Sequence, residues 1–198
     1  MNTMAGGGRR GLAGFTLNEL LIVLALILLI ASMTMPLLGQ ALARYRLGMA
    51  VREVERELQT ARVKAVAANR TVQVLFDCPA AGQYRRVEVL SEPGLPDGRD
   101  NLPSRCNATT FPYPPPDADP LTRPNLDGPL HYLPPEVTLS GVGGLEFRPN
   151  GTVRKDEGGG TISWADIGVG DAAVTVTRGT FTRNIVVNGM GRVHLVQP

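Results

Sequence analysis

The sequence predicts an α+β fold: a long N-terminal helix, its first half suited to a membrane, packed on a C-terminal antiparallel β-sheet domain. Three observations carry this. From Phe15 to Ala43 the single charged residue is Glu19. From Leu47 to Ala68 apolar residues recur in steps of four and three, the period of a helix with one buried stripe. Beyond Asn69 the period falls to two, in a chain rich in turn formers, with 23 Gly and 16 Pro.

The apolar run from Leu20 to Leu38 is 19 residues long. At 1.5 Å per residue it spans about 28 Å, close to the hydrocarbon thickness of a bilayer. Arg9 and Arg10 precede it, which predicts a cytoplasmic N-terminus and an external C-terminal part. A secretory signal peptide is the plainer reading. The run exceeds the usual apolar region of such a peptide, and Ala31-Ser32-Met33 is a poor cleavage site. Neither a signal peptide nor a plain anchor accounts for Glu19, since a carboxylate inside an apolar helix is costly and usually has a partner.

The stripe beyond the run is Leu47, Val51, Val54, Leu58, Ala61, Ala65 and Ala68, with Arg52, Glu53, Arg56 and Lys64 on other faces. A helix from Thr16 to about Asn69 would be about 80 Å long. Pro36 lacks an N–H and is expected to kink or loosen it. The stripe needs cover, and Gly48 with the small Ala positions favours a sheet over a free coiled coil. Arg44, Arg46, Arg62 and Lys64 read as a solvated or headgroup-facing surface.

Strands are expected at Thr71–Phe76, Tyr84–Leu90, Val137–Leu139, Leu145–Arg148, Thr152–Arg154, Thr161–Trp164, Ala173–Thr177, Asn184–Val187 and Arg192–Val196. Asn150-Gly151 marks a hairpin turn, and Asn188-Gly189-Met190-Gly191 separates the last two strands. Residues 91–135 read as a long Pro-rich loop, because nine prolines between Phe111 and Glu136 rule out a helix or a central strand. The two cysteines, Cys78 and Cys106, suit a disulfide in an exported domain, with two free thiols as the alternative. If formed, the bond adds roughly 3–4 kcal/mol by the chain-entropy account.

Charge is unevenly placed. Residues 44–70 hold seven Arg/Lys and three Glu, whereas 71–198 hold eleven Arg/Lys and fourteen Asp/Glu. A β domain of that sign is not an obvious nucleic-acid binder. No catalytic set is visible: His131 lies in the Pro-rich loop, His194 in the last strand, and no nucleophile elbow or zinc-ligand spacing occurs. Gly158-Gly159-Gly160 lacks the Lys of a phosphate loop and reads as a turn. The expectation is therefore no enzyme, no metal and no cofactor.

Gly14-Phe15-Thr16-Leu17-Asn18-Glu19-Leu20, after a short basic leader, resembles the type IV prepilin processing motif. That resemblance implies a pilin-like fold and a division into a leader (1–14), a transmembrane and filament-core helix (15–38), its amphipathic continuation (39–70) and a β-rich globular domain (71–198). It implies cleavage between Gly14 and Phe15 by a prepilin peptidase, which also methylates the new Phe15 amine. It further implies that Glu19 pairs with the N-terminal amine of a neighbouring subunit during filament assembly.

Gly144-Leu145-Glu146-Phe147-Arg148-Pro149-Asn150-Gly151 and the closing Gly191-Arg192-Val193 resemble the GspH/FimT group of pseudopilins and minor pilins. The implied role is a structural subunit of a type II secretion pseudopilus or type IV pilus. The implied place is a bacterial inner membrane, crossed once, with the C-terminal domain periplasmic or in an extracellular filament. The implied partners are the prepilin peptidase, other pseudopilins or pilins, an inner-membrane assembly platform and membrane lipid. The alternative is a DNA-binding minor pilin for natural transformation. Some relatives carry G-R-x-R here, and in this chain Arg192 and His194 are the candidate contacts, with Arg178 and Arg183 on neighbouring strands. His194 replaces the second Arg, and the acidic domain weakens that reading further.

Overall fold

The computed structural model describes residues 15–89, 103–113, 127–156, 163–168 and 171–196. The chain divides into two compact units, Met1–Leu42 and Ala43–Pro198. Helix α1 runs Leu17–Ala68, and its helical backbone continues through Pro36. Its start is capped by Thr16. Thr16 Oγ1 accepts the Glu19 N–H at 3.3 Å, and Glu19 occupies the third helical position. Its end is a Schellman motif. Asn69 takes the left-handed conformation at φ 52°, Asn69 N–H bonds Val66 O at 3.3 Å, and Arg70 N–H bonds Ala65 O at 3.1 Å.

In the second unit the stripe on α1 becomes the core. Leu47, Val51, Val54, Leu58, Ala61 and Ala65 are all buried, joined by Ala50, while Ala68 is partly buried. They pack with residues of two antiparallel sheets rather than one. The first holds β1 (Val72–Phe76), β2 (Gln83–Glu88), β3 (Leu130–Tyr132), β5 (Gly144–Phe147), β6 (Val153–Asp156) and β7 (Trp164–Asp166), in the order β3-β2-β1-β5-β6-β7. The second holds β4 (Val137–Ser140), β8 (Asp171–Arg178), β9 (Phe181–Asn188) and β10 (Val193–Val196), in the order β10-β9-β8-β4. The chain passes from the second sheet to the first between β4 and β5. There Gly141 sits at φ 110°, where a Cβ would meet Ala173 O at 2.3 Å, so only glycine fits.

Two expectations change. The Pro-rich stretch is not wholly loop, since Pro103–Cys106 forms a 3-10 turn and Leu130–Tyr132 forms β3. β3 is an edge strand, the position that a Pro-flanked segment tolerates, and His131 therefore lies in a sheet. The strand expected at Thr161–Trp164 appears as β7 from Trp164, with 161–162 outside the described residues. The Asn150-Gly151 turn does join β5 to β6, with Gly151 at φ 84°. Residues 90–102 and 114–126 of the Pro-rich stretch also lie outside the described residues.

Every residue of β1 is buried, so both faces of the first sheet are covered. Val72, Val74 and Phe76 face α1. On the other face, Leu75 and Val87 pack with Cys78, Cys106 and Trp164. Cys78 and Cys106 are joined by a disulfide. The described part of the Pro-rich stretch thus packs, through Cys106, on the outer face of the sheet.

Candidate functional site

From Leu17 to Leu38 every described Leu, Ile, Val and Met is exposed, at 47% of its surface or more. A continuous apolar surface of this size is not stable in water and marks a membrane or a partner. It is the one helix among the described residues long and apolar enough to cross a membrane. The few polar side chains within it suit that medium. Ser32 Oγ donates to Leu29 O at 2.8 Å and Thr34 Oγ1 to Ala31 O at 3.1 Å, so their hydroxyls are satisfied within the helix. Phe15 is 81% exposed at the start of this segment, while Gly14 and the rest of residues 1–14 lie outside the described residues.

Glu19 is exposed in the first turn of α1. Among the described residues no cation pairs with its carboxylate. Its place has a local reason: the positive end of the helix dipole favours an acidic side chain in the first turn. The T-x-x-E spacing of Thr16 and Glu19 is the sequence signal for this cap, and it lies inside the Gly14–Leu20 stretch.

In the second unit the polar groups form a buried scaffold. Consecutive residues of a strand point to opposite faces, and Arg85 and Arg86 use this. Arg86 faces α1, where its Nη1 donates to Glu57 Oε1 at 2.6 Å. Arg85 faces the insertion, with Nε donating to Gly128 O at 2.9 Å and Nη1 to Phe111 O at 2.7 Å. Arg105 Nη2 reaches Asp127 Oδ1 at 3.4 Å, and Asp127 Oδ1 also accepts the Glu88 N–H at 2.6 Å. Arg105 stacks on Phe111, its guanidinium carbon 4.6 Å from the ring centroid. His131 Nδ1 lies 3.1 Å from Glu53 Oε1 and its ring stacks on Tyr84 at 5.0 Å. Nothing in a single sequence marked Arg85, Arg105 and Asp127 as buried partners, because their contacts cross long separations.

Burial shifts the ionisation of several groups. It lowers the pKa of Lys64, with the Arg86 charge adding to the effect. It lowers that of Arg85, against the Asp127 charge. It raises that of Tyr84, helped by Glu53 and Glu57. It raises that of Glu88, against a 2.6 Å ion pair with Arg70. These arrangements hold the insertion to the sheet and the sheet to α1. Among the described residues no group of three or more His, Cys, Asp or Glu side chains is placed to hold a metal.

The basic residues near the C-terminus are spread out. Arg192 is exposed beside Asn188, whose Oδ1 accepts its N–H at 2.9 Å. His194 pairs with Val186 in the ladder. Arg183 lies opposite Val176, five residues from Asn188 along β9, or about 17 Å. Arg178 is held by Glu136 at 2.9 Å. Along β9 the strands thus place Arg192 at one end of the second sheet and Arg178 and Arg183 toward the other, with His194 between them opposite Val186.

The fold is similar to that of the type IV minor pilin FimU of Pseudomonas aeruginosa strain PAO1, solved in two crystal forms. One is 17% identical, covering 78% of this chain and 90% of that chain, with a TM-score of 0.46. The other is 16% identical, covering 76% of this chain and 92% of that chain, with a TM-score of 0.44. No family model matches the chain, and no curated protein does.

Proposed function

We propose that the chain is a pilin-type structural subunit of a type IV pilus or type II secretion pseudopilus, held in a bacterial inner membrane until it joins a filament. One juxtaposition carries the reading. Gly14-Phe15-Thr16-Leu17-Asn18-Glu19 opens a helical segment whose described large apolar side chains are all exposed and whose only charge is Glu19.

The mechanism follows from those residues. The apolar run inserts as a helix, oriented by Arg9 and Arg10. A prepilin peptidase cuts between Gly14 and Phe15 and methylates the freed amine. Glu19 survives in lipid first by its place at the positive end of the helix. It then attracts the ammonium of a neighbouring subunit, an attraction that is strong in low dielectric and that sets one axial register. The second unit carries no part of this chemistry. Its buried scaffold presents a rigid surface to the machine it serves.

N-terminal mass analysis of protein from native membranes tests the reading. The expected product begins at methylated Phe15. A product that begins at Met1, or just after Ala31-Ser32-Met33, would refute it.

A further inference from the structure

Arg44, Leu47, Thr180, Phe181, Thr182 and Arg183 line a cleft of about 420 Å³ in the second unit. The Arg44 guanidinium carbon sits 4.8 Å from the Phe181 ring centroid, which holds the cation at the cleft wall. Arg183 is exposed, as are Thr180 and Thr182, and Leu47 is buried beneath them. The neighbouring Glu136 is answered by Arg178 at 2.9 Å. Among the described residues neither Arg44 nor Arg183 has a carboxylate partner, so the cleft is positive. In the sequence Arg44 follows Leu38, the last residue of the apolar run, by six positions.

We infer that this cleft binds the phosphodiester headgroup of an anionic membrane lipid. The inference rests on the chain being a membrane-anchored subunit and names the lipid class it holds there. Guanidinium groups match phosphate oxygens with paired N–H donors, and the two threonine hydroxyls suit a glycerol headgroup. The half-buried Phe181 ring gives the apolar side that the lipid backbone requires, with Leu47 supporting it from beneath. Choline would bring a third cation against Arg44 and Arg183, so a zwitterionic lipid fits less well.

The test uses the full chain in detergent micelles with equimolar phosphatidylglycerol and phosphatidylcholine, and counts retained lipids by native mass spectrometry. The native chain is expected to retain phosphatidylglycerol preferentially. Each arginine near a charged surface is worth roughly fivefold, so Arg183→Gln should cut the preference by about that factor and R44Q/R183Q should abolish it. Arg183 is exposed, so its single variant keeps the test valid if the double variant folds poorly. Arg192→Gln is the control and should change nothing. Equal retention of both lipids, or an undiminished preference in R44Q/R183Q, overturns the site. Displacement by inorganic phosphate at the same concentration would assign the cleft to free phosphate and overturn the lipid. Glu19→Ala is expected to keep the lipid preference while losing neighbouring subunits, so failure of this site and failure of the filament role give different results.

Discussion

Leu26 and Leu58 are both leucines of α1, yet Leu26 is 56% exposed and Leu58 has no exposed surface. The first half of the helix is apolar on all sides, and none of its large apolar side chains is buried among the described residues. The second half is apolar on one stripe and closes the core of the globular unit. An all-round apolar helix is solvated by lipid or by other helices, whereas a striped helix is solvated by its own domain. One helix therefore carries two patterns, and the change between them falls near Ala43.

The largest expected effect breaks the first half alone. Glu19→Ala should leave insertion and cleavage intact, because it makes the segment more apolar. On the proposed pairing it removes an attraction of up to about 4 kcal/mol at partly screened contact distance, so co-purification with other pilin subunits should fall at least roughly tenfold. Unchanged co-purification would mean that Glu19 serves only as a helix cap.

Paired leucine truncations sharpen the contrast. Leu58→Ala should destabilise the globular unit by about 2–5 kcal/mol, because it leaves a cavity under both sheets. Leu26→Ala should leave the unit's denaturant midpoint unchanged in the detergent-solubilised chain. A shift with Leu26→Ala would show that the two halves are energetically coupled.

The third effect concerns the insertion. Reducing the Cys78–Cys106 bond, which spans a sequence separation of 28, should cost roughly 3–4 kcal/mol through the freedom returned to the unfolded chain. Denaturant melts with and without reductant measure it. An identical midpoint would mean that Arg85, Arg105 and Asp127 hold the insertion by themselves.

The smallest effect is a pH slope. Burial raises the Glu88 pKa above its unfolded value, and the Arg70 pair only partly offsets it. Between the two pKa values the folded state holds more proton than the unfolded one. Stability from this group should therefore fall as pH rises from the ordinary carboxylate range through the raised value. Glu88→Gln should remove that slope, and melts from pH 4 to 7 on both proteins check it. A slope of the opposite sign would mean that the Arg70 pair outweighs burial.

The sequence by itself determined what depends on neighbours in the chain. The apolar run, the stripe from Leu47 to Ala65 and the Asn150-Gly151 turn are local patterns, written in spacing and in turn chemistry. The division of the strands between two sheets was not legible, because strand pairing is decided by which faces need cover. Nor was the place where the Pro-rich stretch packs. Proline excludes a helix but does not say where an extended segment lies, and β3 exists because the edge of β2 accepts it. The opposite duties of Arg85 and Arg86 needed the third dimension as well. Their partners lie 20 to 43 residues away, and a buried cation is stable only where folding brings those acceptors to it.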